Sequence, residues 1–152
     1  MELNFRAADS GDIAALVLML ADDKLGAQRE DASQPLNPAY HRAFDVITKD
    51  ANNELVIAEY DANIVGMLQL TFIPYLSHIG SWRCLVEGVR IHKSYRGRGL
   101  GERLLQWAID RAMEKGCRII QLTSDKQRPD AIRFYRNLGF EASHEGFKLR
   151  LQ

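Results

Sequence analysis

Residues 82–105 read WRCLVEGVRIHKSYRGRGLGERLL, and this stretch decides the fold prediction. Its first ten residues are rich in apolar and β-branched side chains, which favours a strand. From Leu100 onward, apolar side chains recur at helical spacing through Leu104, Ala108 and Ala112, which predicts an amphipathic helix. The turn between the two is rich in glycine and arginine. A strand, a glycine-rich turn and a helix in this order are typical of an α/β domain.

The turn itself, RGRGLG at residues 96–101, has the composition of an anion-binding loop. Glycines let the backbone approach a ligand closely, and the free N–H groups at a helix start bind phosphate. Arg96 and Arg98 would add charged donors. The alternative is a flexible helix entry with no ligand. Two familiar phosphate loops are excluded, since Glu102 stands where a dinucleotide-binding loop needs glycine and no Gly-Lys-Ser/Thr follows.

The rest of the chain predicts further alternation of strands and helices. A hairpin is expected around Asp61, and a strand over Arg118–Thr123 is followed by a helix over Pro129–Leu138. Terminal strands are predicted at Phe140–Ala142 and Phe147–Leu151. With an N-terminal strand and helices, the whole is a mixed α/β fold: a single domain over residues 1–152, with a central, mostly antiparallel sheet flanked by about four helices.

Composition sets limits on the function. The 152 residues are 46% hydrophobic and 26% charged, with 20 basic and 20 acidic side chains. Zero net charge argues against a nucleic-acid binder. The charge is nevertheless unevenly spread: residues 1–76 carry a net −7 and residues 77–152 a net +7. Such a split can arise by chance. Alternatively, the basic second half would suit an anionic ligand and the acidic first half a cationic one.

The sequence lacks the patterns of several classes of protein, which predicts the cellular location of this one and its metal content. Cys84 and Cys117 form neither a disulfide framework nor a CxxC pair, which favours the reducing cytoplasm. The N-terminus lacks the order of a signal peptide, and the longest apolar run, Ile13–Ala21, is too short to span a bilayer. No membrane partner is expected. No three-ligand metal constellation is evident.

Two motifs together resemble the GNAT N-acetyltransferase superfamily. Arg96-x-x-Gly99-x-Gly101 is similar to that family's pyrophosphate-binding motif, and AIRFYRNLGF at residues 131–140 is similar to its second motif, A-x-x-F-Y-x-x-L-G-F. The resemblance is strongest from about Glu54 to Gly146. It implies acetyl-coenzyme A (acetyl-CoA) as cofactor, a small-molecule amine as acceptor, and a splayed parallel strand pair within the sheet. Dimers are frequent among similar proteins, so a homodimer is among the expected partners.

The resemblance also implies where the cofactor would bind. Its pyrophosphate would lie on the backbone of the 96–101 loop, and its pantetheine arm would run beside the preceding strand. Glycine inside a strand often marks a bulge, so Gly88 is expected to open that strand. The implied cofactor-binding residues are Val89, Arg90, Ile91, Arg96, Gly97, Arg98, Gly99, Leu100 and Gly101.

Acetyl transfer needs a base, an oxyanion site and an acid. Backbone N–H groups near Val89 would stabilise the oxyanion. Tyr135 matches the family's general acid, with a half-buried structural aromatic as the alternative. Glu87 matches the position of its general base, where a partly dry cleft would raise the pKa. Its alternative is a carboxylate paired with Arg83 or Arg90. Further candidates for the base are His78, His92 and His144.

The acceptor side is expected between Asp22 and Asn37 and around Pro74–Trp82. Acidic groups in the first segment would attract an amine, and aromatic groups in the second would enclose it. Arg128 departs from the second motif, where an asparagine is usual, and would bind an anion or pair with Asp125 or Asp130. Together with His144 it gives a shorter resemblance to small aminoalkylphosphonate N-acetyltransferases. The candidate substrate residues are Tyr75, His78, Trp82, Arg128 and His144.

Two readings of function remain open. The first is an acetyl-CoA-dependent N-acetyltransferase acting on the primary amine of a small molecule. The second is a non-catalytic acyl-CoA-binding sensor or regulatory protein with the same fold. Tyr135 and Glu87 separate the two, because only a catalyst needs them.

Overall fold

The computed structural model describes all 152 residues as two compact units, Met1–Gln121 and Leu122–Gln152. The first unit contains a five-stranded sheet in the order β1-β2-β3-β4-β5. Neighbouring strands are antiparallel except for β4 and β5, which are parallel. The predicted mixed α/β fold with one parallel pair is therefore confirmed. The strands are β1 (Asn4–Ala7), β2 (Asn53–Tyr60), β3 (Asn63–Pro74), β4 (Trp82–Ile91) and β5 (Cys117–Gln121).

Six α-helical segments accompany the strands, against about four predicted, together with two 3₁₀ segments, Ser10–Asp12 and Lys93–Tyr95. Two of the α-helical segments are short: α2 has six residues, and α4 is a single turn. Within α4, His78 and Ile79 have left-handed backbone angles, φ 54° and 59°, so it is not a regular helix. The segments are α1 (Ile13–Ala21), α2 (Lys24–Arg29), α3 (Pro38–Lys49), α4 (Ser77–Gly80), α5 (Leu100–Glu114) and α6 (Pro129–Asn137).

Helix α5 covers one face of the sheet, here called the α5 face. Its predicted apolar stripe is buried, and Leu104 is fully buried. A side chain at Gly66 of β3 would meet Leu104 at 3.4 Å, which places helix and sheet in close contact. Leu68 and Leu70 alternate with Gly66 and share this face, both fully buried. This packing fixes the helix that follows the glycine-rich turn.

Helices α1 and α3 cover the opposite face, here called the α1 face. A buried cluster joins Leu16 and Val17 of α1 and Phe44 of α3 to Ile57 of β2 and Met67 of β3. Ile57 and Met67 are paired across the two strands. The sheet is thus an interior layer in its central part, with a helix layer on each side.

An ion-pair cluster fastens β1 to the start of the first helical segment. Arg6 donates to the Asp12 carboxylate over 2.8 and 3.1 Å and also to Glu59 of β2. The same carboxylate accepts the Asp9 backbone N–H at 2.8 Å and completes a capping box. Asp12 is 8% exposed. Its pKa is held below the ordinary value of 3.8, first by the Arg6 hydrogen bonds.

The second unit contains α6, followed by a tail that forms no further helix or strand. The predicted helix is confirmed over Pro129–Asn137. The predicted terminal strands at Phe140–Ala142 and Phe147–Leu151 are wrong, since no strand forms after β5. Alternating Phe147, Leu149 and Leu151 are 92%, 86% and 89% exposed. Alternation alone favours a strand, but a strand requires a hydrogen-bonded neighbour. None of the helices has the length and apolar character needed to cross a bilayer.

We expect Asp12→Asn to destabilise the fold by about 1–3 kcal/mol near neutral pH, because it removes the more buried of the two carboxylates that bond to the half-buried Arg6 guanidinium, leaving only Glu59. The native pKa of Asp12 is lowered, so its stabilisation is complete above the unfolded pKa and is lost as the pH falls through the native one. The difference in the free energy of unfolding between variant and wild type should therefore become smaller as the pH is lowered. Urea unfolding at several pH values measures this.

The matched control is Asp61→Asn, at an exposed turn residue with φ 51°. Asparagine tolerates that backbone conformation, so the control should change stability by less than about 0.5 kcal/mol. An equal loss in both variants, or a loss at Asp12 that does not depend on pH, would contradict the ion-pair account.

Candidate active site

The candidate site is built around a β-bulge in β4. Met67 of β3 is opposite Arg90, whereas Gln69 is opposite Glu87, so β4 has one more residue than β3 in this interval. Gly88 adopts φ +63°, a conformation that glycine reaches without strain. A side chain there would lie 3.7 Å from Leu20 of α1. The predicted bulge is confirmed.

The outer edge of β4 is free of strand neighbours beyond the bulge. Pairing with β5 ends at Leu85 opposite Gln121, while β4 continues to Ile91. An extended ligand can therefore lie beside Val89, Arg90 and Ile91. Two of the carbonyl groups there are engaged: the Arg90 guanidinium donates to the Val89 oxygen at 2.8 Å and Arg96 Nε donates to the Ile91 oxygen at 3.2 Å.

The glycine-rich turn leads from this edge into α5. Gly97 and Gly99 have φ +76° and +74°, and a Cβ added to either would meet nothing within 4 Å. Gly99 is the N-cap of α5 and has no side chain to cap the first N–H groups. Leu100 is buried and anchors the helix start to the core. The open backbone at Gly97–Gly101 fits an anionic group such as a pyrophosphate.

The two arginines of this turn have partners within the protein. Arg96 forms an ion pair with Asp22 at 3.2 Å, in addition to its bond to Ile91. Arg98 lies over the Tyr95 ring at 5.3 Å. Both side chains are thus held near the turn, so the backbone is the element left open to an anion.

Glu87 projects on the α1 face of β4, opposite Gln69. It is exposed, and it makes neither of the ion pairs considered for it: Arg83 bonds to Gln121 at 3.1 Å, and the Arg90 guanidinium lies 3.9 Å from Asp23. The dry cleft expected around Glu87 is not present. Its carboxylate is accessible to a solvated ligand.

The acidic residues expected to attract an amine are already engaged. Asp22 pairs with Arg96, and Asp23 caps α2 through the Gly26 N–H at 2.5 Å. Glu30 pairs with Arg29 and accepts the Tyr40 hydroxyl, and Asp31 accepts from Ser33. These carboxylates stabilise the loop rather than presenting free charge.

The aromatic candidates lie around the β3–β4 turn. Tyr75 is covered by the Arg83 guanidinium at 4.4 Å from its ring centre. His78 is exposed in the left-handed turn, and Trp82 is 37% exposed at the start of β4. Because side chains alternate along a strand, Trp82 and Arg83 lie on opposite faces.

The second unit holds the remaining predicted residues. Tyr135 on α6 is half-buried, and its ring lies edge-on to Phe134 and Phe140 at 5.2 and 5.9 Å. Arg128 is the N-cap residue of α6, with its backbone N–H donating to the Asp125 carbonyl. Asp130 pairs with Arg133. His144 Nδ1 lies 2.7 Å from the Ser143 hydroxyl. The catalytic role of Tyr135 and the ligand roles of Arg128 and His144 stay predictions.

Apart from Glu87, sequence reasoning missed a row of polar side chains across the α1 face. These residues alternate with core residues in apolar strands. That alternation was the only feature of the sequence from which the row could have been found. Asn53 accepts from Thr71 at 2.7 Å and from Gln69 at 3.2 Å, and Arg83 bonds to Gln121. Strand pairing aligns them: the row comprises Asn53, Gln69, Thr71, Arg83, Glu87 and Gln121.

Two other features lie outside this site. A groove of about 770 Å³ is bordered by Phe5, Trp107 and the Glu54–Arg111 ion pair, and contains none of the predicted residues. Burial raises the pKa of the Cys84 thiol on β4 to about 12. That sulfur is therefore a core group and not a nucleophile.

Comparison with known proteins agrees with this geometry. The model of the Acetyltransferase (GNAT) family matches residues 18–140. The aminoalkylphosphonate N-acetyltransferase of Salmonella typhimurium is 27% identical over 139 residues, covering 91% of this chain and 83% of that protein. A crystal structure described as a transcriptional regulator from Bacillus halodurans C-125 is 56% identical, with a TM-score of 0.95 over 99% of this chain and 100% of that one.

A predicted acetyltransferase from Clostridium acetobutylicum, solved with acetyl-CoA, is 22% identical and supports the fold alone. Its TM-score is 0.74, over 99% of this chain and 97% of that one. The family match covers most of the chain, including both motifs and β4. The resemblance expected from residues 96–101 and 131–140 is confirmed: the chain belongs to the GNAT acetyltransferase family.

Proposed function

We propose that this protein is an acetyl-CoA-dependent N-acetyltransferase that acetylates the primary amine of a small molecule. The observation that carries the proposal is an edge of β4 at Val89–Ile91 without a strand neighbour, followed in the chain by the uncapped N-terminus of α5. GNAT acetyltransferases use acetyl-CoA. The chain is proposed to act as one domain over residues 1–152, in the cytoplasm and as a homodimer.

The residues on this path fit coenzyme A. Its pyrophosphate would be bound by backbone N–H groups at Gly97–Gly101, where the space over Gly97 and Gly99 is open. The amide groups of its pantetheine arm would pair with the free edge at Val89–Ile91 as an added strand would. Acetyl-CoA supplies an activated thioester carbonyl when bound.

The chain's own groups would divide the remaining chemistry. Glu87 would accept the proton of the amine and, being exposed, would pass it to solvent. Backbone N–H groups near Val89 at the bulge would stabilise the oxyanion. Tyr135 would donate a proton to the departing thiolate. These roles assign one group to each charge that develops during the reaction.

A regulatory role is the second candidate, because the 56% identical protein of known structure is described as a transcriptional regulator. In that case the fold would bind acyl-CoA without turnover. A panel of primary amines, with thiol release monitored after acetyl-CoA is added, separates the two. Release above background for at least one amine supports the enzyme, whereas coenzyme A binding without release for any amine supports the sensor.

We expect Tyr135→Phe to lower kcat by about 100-fold or more, because a general acid contributes on that order. Coenzyme A affinity measured by calorimetry should stay close to that of wild type. Tyr60→Phe, at a half-buried tyrosine of β2, is the control and should keep full turnover. Equal kcat in the Tyr135 variant and wild type would exclude the general-acid role.

For Glu87→Gln we expect a large loss of activity near pH 7 that is partly restored as the pH rises. Amines lose their proton near pH ~10, so a base matters less in alkaline solution. Glu141→Gln, at an exposed residue of the second unit, should leave the pH profile unchanged. If the ratio of variant to wild-type activity stays constant across pH, Glu87 is not the base.

Gly99→Val should weaken coenzyme A binding, because a side chain would occupy the open space over the turn. Gly116→Val is a closely matched control. Gly116 has φ +77° against +74° at Gly99, and an added Cβ is equally free of contacts, yet it lies at the other end of α5. Both variants should lose similar stability, and only Gly99→Val should lose affinity by calorimetry. Equal affinities in the two variants would refute this placement of the pyrophosphate.

A further inference from the structure

We propose that Arg83 binds an anionic group of the acceptor, so that the substrate is a small molecule carrying both a primary amine and a carboxylate or phosphonate. The inference rests on the proposed function and names its substrate class. It starts from the charge balance of the arginines on the sheet.

Among the half-buried arginines of the sheet and of α5, Arg83 is the one without an acidic partner. Arg6 pairs with Asp12 and Glu59, and Arg111 pairs with Glu54 and Glu114. Arg90 lies 3.9 Å from Asp23. Arg83 is half-buried as well, but its contacts are neutral: the Gln121 amide oxygen at 3.1 Å and the Tyr75 ring. A partly desolvated cation without a counter-ion is unfavourable.

Two hydrogen-bond donors at this position are also unused. Arg83 Nε is buried without a hydrogen-bond partner, and so is the hydroxyl of Ser81. Ser81 is only 6% exposed. It is extended and directly precedes β4, so it continues the alternation that puts residues 81 and 83 on one side of the strand. Buried donors are normally satisfied, and an oxyanion would satisfy both.

The same face of β4 carries the proposed base. Arg83, Leu85 and Glu87 alternate with the buried Cys84 and Val86, which lie on the α5 face. Arg83 and Glu87 are four positions apart along the strand, which separates their Cα atoms by roughly 13 Å. Gln121 and Tyr75 hold the Arg83 guanidinium in place, and Glu87 is exposed to solvent. At this separation the two side chains do not form an ion pair, so both charges stay available to a ligand.

One bound molecule can satisfy both charges. Its protonated amine would approach Glu87, beside the bulge, and its oxyanion would accept hydrogen bonds from Arg83. The apolar side chain of Leu85 lies between them and would contact an alkyl segment. A guanidinium binds carboxylates and phosphonates alike through parallel N–H donors. The acceptor class is therefore an amino acid or aminoalkylphosphonate with several bonds between its two charged ends.

The test compares three acceptors of equal chain length: an ω-amino carboxylate, an ω-amino phosphonate and the alkylamine that lacks the acid. With wild type, kcat/KM should be at least about 10-fold higher for one or both acids than for the alkylamine. The better acid identifies the anion. Arg83→Gln should raise KM for that acid by about 10- to 100-fold, with little change in kcat and none for the alkylamine. The KM of Arg83→Lys for that acid should lie between the values for wild type and Arg83→Gln.

Arg118→Gln, at an exposed arginine of the neighbouring strand β5, is the matched control and should retain the preference. Thermal melting verifies that each variant is folded. An alkylamine used as well as the acids, or a KM effect in Arg83→Gln that is equal for charged and neutral acceptors, would overturn the proposal.

Calorimetry with the same three amines keeps this inference separate from the proposed function. If no amine is acetylated, the catalytic proposal fails. Tighter binding of an acid to wild type than to Arg83→Gln would still support the anion site, and equal binding would overturn it.

Discussion

The bulge at Gly88 is the feature on which the rest of the site depends. In a regular strand, residues three apart lie on opposite faces. One extra residue in β4 resets this alternation, so that Glu87 and Arg90 pair with Gln69 and Met67 and share the α1 face. Arg90 can then approach Asp23, while the edge beyond Leu85 separates from β5. A single left-handed glycine thus brings Arg90 onto the face of the proposed base, next to the edge of β4 that has no strand neighbour.

Ion pairs connect this strand to the helices that border the site. Asp22 and Asp23, at the junction of α1 and α2, face Arg96 and Arg90, which flank the free edge of β4. Part of the opposite charge on the two halves of the sequence is therefore neutralised by ion pairs within the protein. These acids stabilise the border of the site, so under the proposed function an amine would be recognised by groups on the sheet itself, foremost Glu87.

The parts of the structure that depend on local pattern were predictable from the sequence. A glycine within an apolar strand indicated the bulge, and the Arg-Gly-rich turn indicated an uncapped helix start. What could not be predicted depends on which strands pair. The tail around Phe147 alternates as a strand does, yet no neighbour pairs with it. Arg83 was considered only as a partner for Glu87, because the sequence does not show that Gln121 and Tyr75 surround it.

Arg83 illustrates why an isolated charge points to a ligand. Its half-buried guanidinium reduces stability unless something compensates the charge, and an acidic neighbour would do so permanently, as Glu54 does for Arg111. Such a neighbour would also remove the attraction for an anionic substrate. A cation held by a neutral amide and an aromatic ring keeps its charge available while its position is fixed. A ligand that binds only the folded state then stabilises that state in proportion to its affinity. The proposed acceptor would thus supply the counter-charge that Arg83 lacks, and the cost to the free protein would favour molecules that carry both an amine and an acid.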